Sequence, residues 1–136
     1  QNAIEINKGI IASWNGELDN AQALFNNGNA SERNQAILNI RKGEYEKAAR
    51  FFKNKNSYNA TLAKVLNGNT NVSCNKSTAS AYYLNAIIGA RNNNENTVIT
   101  NLKKAIIEDP TYKKEATKDL EFRNYFNSPS FQQLIN

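Results

Sequence analysis

The sequence predicts an all-α protein, a single domain over residues 1–136 built as a solenoid of antiparallel helix pairs with a C-terminal helical cap. The first observation is a repeat, because the segment 16–25 (GELDNAQALF) aligns without a gap on the segment 43–52 (GEYEKAARFF). The second is a spacing of four between small and apolar residues in both copies, which places them on one helical face. The third is that no stretch alternates in the manner of a strand. Internal repeats of this length are typical of stacked helical units.

A glycine or an asparagine marks the turn inside each predicted pair. Taking Gly16 and Gly43 as anchors, the equivalent positions downstream are Gly68 and Asn93, at intervals of 25 to 27 residues. Both residue types adopt left-handed backbone conformations at helix ends. The same triplet, one small residue and then two apolar ones, precedes each anchor, at 9–11, 36–38, 61–63 and 86–88. The register predicts four units, near 3–28, 31–55, 57–77 and 78–110.

Each unit comprises a helix A, a turn at the anchor and a helix B. Five and nine residues after the first, second and fourth anchors stand small or apolar residues, namely Ala21, Phe25, Ala48, Phe52, Val98 and Leu102. The third unit has Ser73 and Ser77 there, in a segment rich in residues that compete for backbone hydrogen bonds. We therefore expect its helix B to be short, frayed or absent. The predicted helices cover 3–15, 17–27, 31–42, 44–54, 57–67, 78–92, 95–108 and 111–119, with a short helix at 129–135.

The two ends of the predicted solenoid differ. Pro110 closes the fourth unit, and the register changes from Thr111, so residues 111–136 are predicted to form a cap over the last apolar face. The first helix A begins without a polar lid and would expose Ile4, Ile10 and Ile11, a patch that monomers avoid. Because the chain also lacks methionine, we expect a fragment of a longer protein, with further residues before Gln1 or a homo-oligomer formed through this N-terminal face.

Composition restricts the classes of function. The 17 Lys and Arg residues are interspersed with 12 Asp and Glu residues, which indicates a solvated surface and makes nucleic acid a disfavoured partner. No apolar run is long enough to cross a membrane. Without histidine and with Cys74 alone, the sequence offers no structural zinc site, no imidazole base and no internal disulfide. No catalytic or phosphate-binding motif is present, so we predict a non-enzyme without cofactor, metal or small-molecule substrate.

The segment 93–110 (NNENTVITNLKKAIIEDP) resembles the second half of a tetratricopeptide repeat (TPR), with Val98, Leu102 and Ala105 followed by Asp109 and Pro110. The resemblance covers roughly residues 3–110. Its departures are units of 25 to 27 residues instead of about 34, no tryptophan at the usual place in helix A, and no recognisable helix B in the third unit. The resemblance implies a right-handed α-α superhelix. Residues 80–84, together with AIIGARNN, NLKKAI and KDLEF followed by a P-x-F step, are similar to TPR segments of bacterial cell-envelope proteins. This similarity favours the periplasm or cell envelope over the cytoplasm.

What the resemblance implies for function is a protein or peptide partner bound in a concave groove lined by the A helices. The positions that match this groove give the candidate partner-binding residues, Asn7, Arg33, Asn34, Arg41, Tyr58, Asn59, Tyr83 and Arg91. The same registers also carry Ile6, Trp14 and Leu66. Asparagine amides can bond a peptide backbone, arginine can bind carboxylates through two hydrogen bonds, and tyrosine supplies rigid contact area.

Three alternatives stay open. The asparagine series is equally compatible with bonds to the neighbouring backbone of the fold itself. The chain as a whole could be a structural spacer or a dimerisation segment of a cell-envelope protein. The third alternative is an RNA-binding helical repeat.

Overall fold

The computed structural model describes residues 2–55 and 57–136, and in these ranges it contains helices and turns but no strand. The α-helices are α1 (Asn2–Trp14), α2 (Leu18–Gly28), α3 (Glu32–Lys42), α4 (Tyr45–Phe51), α5 (Tyr58–Leu66), α6 (Ala79–Arg91), α7 (Glu95–Glu108), α8 (Thr111–Lys118) and α9 (Pro129–Ile135), with a 3₁₀ helix at Leu120–Tyr125. The all-α class is confirmed. The chain divides into two compact units, a first unit, Gln1–Lys55, and a second unit, Asn56–Asn136. The first unit contains the first two predicted repeats, and the second unit contains the third and fourth.

All four predicted anchors have a left-handed backbone. The φ angles are 81° at Gly16 and Gly43, 93° at Gly68 and 56° at Asn93. A Cβ added at any of the three glycines would meet no atom within 4 Å, so the backbone conformation rather than crowding favours glycine there. Asparagine tolerates the same conformation because its short polar side chain can bond locally. The predicted turn register is confirmed.

In the first unit, α1 and α2 form an antiparallel hairpin that packs tightly. A Cβ built at Gly9 would lie 2.5 Å from Cδ1 of Phe25, whereas one at Gly28 would lie 3.0 Å from Cγ1 of Ile6. The C-terminal end of α2 therefore lies against the N-terminal half of α1. At Gly9, only a glycine permits so close an approach of α1 to the Phe25 ring. The core of this unit comprises Ala12, Ala21, Phe25 and Leu38, so α3 contributes to the same cluster. α3 in turn packs against α4.

In the second unit, α6 packs against α7 and the C-terminal segment packs on both. Phe122 of the 3₁₀ helix and Phe131 of α9 are fully buried and join the core of α6 and α7. The other members of this core are Ala86, Ala90, Val98, Leu102, Ala116 and Tyr125. The short helix predicted at 129–135 is confirmed as α9. Ser128 provides its N-cap position, followed by Pro129 at the start of the helix, where a missing N–H costs nothing.

The predicted packing positions are buried. The small residues seven positions before each anchor are buried. The residues five and nine positions after the first, second and fourth anchors are buried too. One apolar position differs, because Ile11 is 53% exposed whereas its equivalents Leu38, Ala63 and Ile88 are 1%, 0% and 5% exposed. Ile4 is likewise 57% exposed, but Ile10, predicted to be exposed with them, is half-buried.

The chain after α4 and after α5 forms turns and no continued helix. Residues 67–78 contain no helix, as expected for helix B of the third repeat. The helix predicted at 44–54 is shorter, because the hydrogen bonds Lys53 N to Arg50 O and Lys55 N to Phe52 O, at 3.4 and 2.9 Å, close tight turns after Phe51. Phe52 is nonetheless 1% exposed. Within the described ranges, no helix has the length and apolar character needed to cross a membrane.

Candidate functional site

A cavity of about 210 Å³ lies in the first unit between α1 and α3. Most of its lining is apolar and comes from Ile10, Trp14, Phe25, Ile37 and Leu38. The polar lining comes from Ser13, Asn34 and Arg41. Two of the predicted partner-binding residues, Asn34 and Arg41, therefore meet at one site. An apolar recess with a few polar groups is the usual form of a site that anchors a ligand side chain.

Trp14 forms part of this cavity and is 71% exposed. It is the last residue of α1, and the next residues turn away through the left-handed Gly16. An indole in this position offers a large rigid surface with a single N–H donor. Tryptophan and arginine are the residue types that most often dominate binding energy at protein interfaces. The combination of Trp14 and Arg41 thus has the composition of an interaction site.

Arg41 lies in the last turn of α3 and is exposed. Within residues 2–55 it forms no ion pair and no side-chain hydrogen bond. The acid closest to Arg41 in sequence pairs with lysines, since the carboxylate of Glu44 lies 3.1 Å from Lys47 Nζ and 3.7 Å from Lys42 Nζ. The hydrogen bond from Lys47, with a smaller contribution from Lys42, holds the pKa of Glu44 below its ordinary value. Within residues 2–55, Arg41 is therefore a guanidinium at a cavity, and no carboxylate pairs with it.

The equivalent arginine of the second unit is already occupied. Arg91 Nε donates to Oε1 of Glu121 at 3.0 Å, and Nη2 donates to Oε2 at 2.7 Å. Nη1 of Arg91 also donates to the carbonyl oxygen of Val65 at 3.2 Å. The two-point geometry matches a planar guanidinium to a planar carboxylate. An acidic side chain of the C-terminal segment therefore binds the arginine that sequence reasoning assigned to a partner.

Tyr83, eight residues before Arg91 on α6, is bound by the same C-terminal segment. Its hydroxyl donates to Oδ2 of Asp119 at 2.7 Å, and its ring stacks on Tyr112 with centroids 4.6 Å apart. Burial, with the hydrogen bond to Asp119, raises the pKa of Tyr83 well above its ordinary value. The structure thus places Tyr83 and Arg91 in internal contacts. Sequence reasoning missed Asp119 and Glu121, for which the only signal was two acids flanking Leu120 in KDLEF.

The remaining predicted residues do not line the cavity. Asn7 and Arg33 are exposed on α1 and α3, and Asn59 is half-buried on α5. Tyr58 is 36% exposed, and partial burial raises the pKa of its hydroxyl. Of the predicted set, only Asn34 and Arg41 share the cavity with Trp14.

No protein-family model, curated protein or solved structure matches this chain.

Proposed function

We propose that this chain is a non-catalytic protein-interaction module of TPR-like helix pairs that binds a partner peptide at the cavity of Trp14 and Arg41. The single observation that carries the proposal is an exposed Arg41 that forms no ion pair within residues 2–55 and lies beside an exposed Trp14 at an apolar cavity. The repeated left-handed anchors and the close approach of α1 to α2 at Gly9 support the TPR-like character.

The chemistry of the site favours a segment in which a carboxylate stands next to an apolar side chain. Arginine binds carboxylates through two parallel hydrogen bonds, and the cavity excludes water around an aliphatic or aromatic group. The second unit contains a precedent for the carboxylate contact. Asp119 and Glu121 bind Tyr83 and Arg91 there, and Leu120 between them is 69% exposed. Arg41 holds the same register before its anchor as Arg91 does.

The test is calorimetric titration of the full chain with acetylated, amidated peptides of the form Lys-Asp-X-Glu-Phe, where X is Leu, Ile, Val or Phe. We expect at least one of them to bind. We expect Arg41→Ala to weaken that affinity about tenfold or more, as for other hydrogen bonds to charged groups.

The matched control is Arg50→Ala, which removes another exposed arginine that is paired with Glu46 at 3.9 Å. The wild-type chain should bind peptides with Asn and Gln in place of Asp and Glu no more tightly than the Arg41→Ala variant binds the acidic peptides. Equal affinities for Arg41→Ala and Arg50→Ala would contradict the proposal.

A second candidate function, self-association, is favoured by a different observation. Ile4, Ile11 and Trp14 lie on one stripe of α1 and are 57%, 53% and 71% exposed. Pairing of this stripe with a second copy would remove apolar surface from water. Sedimentation velocity over a range of concentrations distinguishes the two functions. The control is Ile107→Lys, because Ile107 is a comparably exposed isoleucine of the second unit. A dimerisation segment would be supported if the wild type and Ile107→Lys self-associate and Ile11→Lys does not.

A further inference from the structure

A groove of about 360 Å³ lies between α1 and α2 on the first predicted repeat. Its apolar lining includes Ile11, which is 53% exposed, and Leu24, which is half-buried. Its polar lining includes Lys8, Asn15 and Asn20. The groove therefore leaves apolar side chains of a packed helix pair in contact with water.

The same five positions of the repeat line a cavity in the fourth repeat. Counted from the anchor, they stand eight, five and one residues before it and four and eight residues after it. In the first repeat these positions are Lys8, Ile11, Asn15, Asn20 and Leu24, and in the fourth repeat they are Asn85, Ile88, Asn92, Thr97 and Asn101. The two cavities are thus one recurring feature of the repeat.

In the fourth repeat, the chain of the preceding repeat lies along this groove. Residues 70–73 of the third repeat form the other side of the cavity. Ile88 is 5% exposed and packs in one cluster with Cys74 of the third repeat. Asn85 bonds both backbone groups of Cys74 at 2.8 Å. Cys74 is the sixth residue after the anchor Gly68.

In the second repeat, a helix lies along the equivalent groove. Leu38, five residues before its anchor, is 1% exposed and packs in one cluster with Phe25 of α2. Gln35, eight residues before that anchor, accepts a hydrogen bond at 2.9 Å from Nε2 of Gln22. Gln22 is the sixth residue after the first anchor, the position that Cys74 holds after the third. In both repeats, the residue eight positions before an anchor therefore bonds the residue six positions after the previous anchor.

We propose that the groove at Ile11 binds an amphipathic α-helix of another protein, which lies where helix B of a preceding repeat would lie. The occupant is a helix because α2 takes this place on the second repeat, where the residue equivalent to Ile11 is buried. Its apolar face contacts Ile11 and Leu24, and burial of their exposed surface drives the association.

Lys8 determines the charge of the occupant. The equivalents of Lys8 in the second and fourth repeats are Gln35 and Asn85, whose amides bond the sixth residue after the previous anchor. A lysine at this position favours a negatively charged acceptor, so the occupant has an acidic residue where α2 has Gln22. The ion pair that Lys8 forms with Glu5 is weak, because the two groups are 3.8 Å apart and the lysine side chain is 61% exposed.

A second copy of this chain has no helix B free to enter the groove. The residues of α2 that face Leu38 are Ala21 and Phe25, which are 0% and 3% exposed. The equivalent residues of the second and fourth repeats are at most 1% exposed, namely Ala48, Phe52, Val98 and Leu102. The occupant is therefore a different protein. Its site is separate from the Trp14 cavity, which lies between α1 and α3.

The test is a fluorescence-anisotropy titration of the full chain with a dye-labelled helical peptide. The peptide repeats residues 17–27 with glutamate at the position of Gln22 (ELDNAEALFNN). A hydrocarbon staple between its third and seventh residues, on the face opposite the phenylalanine, keeps it helical, because a free helix of this length is marginal in water. We expect saturable binding. A stapled peptide with asparagine in place of the phenylalanine should bind about tenfold more weakly or worse.

One variant locates the apolar contact. Ile11→Ala should weaken binding of the acidic peptide about tenfold, because most of the apolar surface buried at this position is removed. Ile107→Ala, at a comparably exposed isoleucine of the second unit, is the matched control and should bind as the wild type does. Arg41→Ala should also bind as the wild type does, so failure at this groove and failure at the Trp14 cavity are separate results.

A charge exchange tests the role of Lys8. The wild type should prefer the acidic peptide to its lysine counterpart (ELDNAKALFNN) about two- to fivefold, the usual range for an exposed ion pair. Lys8→Glu should reverse this preference. Lys76→Glu, at an exposed lysine of the second unit, is the control and should retain the preference of the wild type. Thermal melts identify any variant that fails to fold.

Three results would overturn the proposal. The first is the absence of saturable binding of the stapled acidic peptide to the wild type. The second is equal affinity of Ile11→Ala and Ile107→Ala, or an unchanged peptide preference in Lys8→Glu. The third is a dimer of the wild type, seen by sedimentation velocity, that Ile11→Ala dissociates and saturating peptide does not, which would identify a second copy as the occupant.

Discussion

Arg91 and Glu121 form a two-point ion pair in which Nε and Nη2 lie 3.0 and 2.7 Å from the two carboxylate oxygens. The side chains of both residues are 31% exposed, so solvent screens the pair only in part. This contact fixes the 3₁₀ helix on the face of α6 that carries Tyr83. It also shows how an arginine at this register binds an acidic segment, which is the basis of the function proposed for Arg41.

Replacing Glu121 by glutamine should destabilise the second unit modestly. The variant retains one hydrogen bond to Arg91 but loses the charge, so the free energy of unfolding should fall by about 1 kcal/mol. Urea denaturation at low and high salt measures this loss, which should shrink as salt screens the pair. Glu46→Gln serves as the control, because Glu46 pairs with Arg50 at 3.9 Å and both side chains are exposed. Losses of the same size in the two variants would show that the two-point geometry adds nothing.

Tyr83 should make stability sensitive to alkaline pH. Its folded-state pKa is raised by burial and by Asp119, so the folded state retains the phenolic proton over a range in which the unfolded state loses it. The contribution is complete below about pH 10, the unfolded value, and is lost as the pH rises above it. In denaturant titrations, Tyr83→Phe should weaken the alkaline decline in the free energy of unfolding. An unchanged decline in Tyr83→Phe would contradict this role.

Phe52 should be essential to the first unit although it lies beyond the end of α4. Its side chain is 1% exposed, and truncation to alanine in a site of this kind costs about 3 to 5 kcal/mol. Thermal and urea melts of Phe52→Ala measure the loss. Phe51→Ala is the matched control, because Phe51 is only half-buried and contacts the edge of the Phe52 ring. A melt of Phe52→Ala equal to that of the wild type would show that the repeat register is wrong.

Local signals account for what the sequence predicted well. Gly16 and Asn93 determine their turns through backbone preferences that depend on the residue itself. The absent helix B follows from a run of polar residues with weak helix propensity. Spacing alone identified Ala48 and Phe52 as buried, because a helical period specifies which residues share a face.

Long-range contacts account for what the sequence did not reveal. Asp119 and Glu121 bind α6 across 30 or more residues, and no local pattern distinguishes such acids from solvated ones. Ile11 occupies an apolar position of the repeat yet is exposed, because burial depends on which element packs against that face. The hydrogen bonds between Asn85 and the backbone of Cys74 were missed because they join residues 11 positions apart in the sequence.

The most direct measurement is the emission of Trp14 during titration with the Lys-Asp-Leu-Glu-Phe peptide. The chain contains one tryptophan, so this signal reports only on the cavity of α1 and α3, even if the peptide also competes at Arg91. The proposed function predicts a saturable blue shift as the indole leaves water, with the midpoint raised about tenfold or more in Arg41→Ala and unchanged in Arg50→Ala. A flat emission spectrum up to saturating peptide, or the same midpoint in Arg41→Ala as in the wild type, would contradict it.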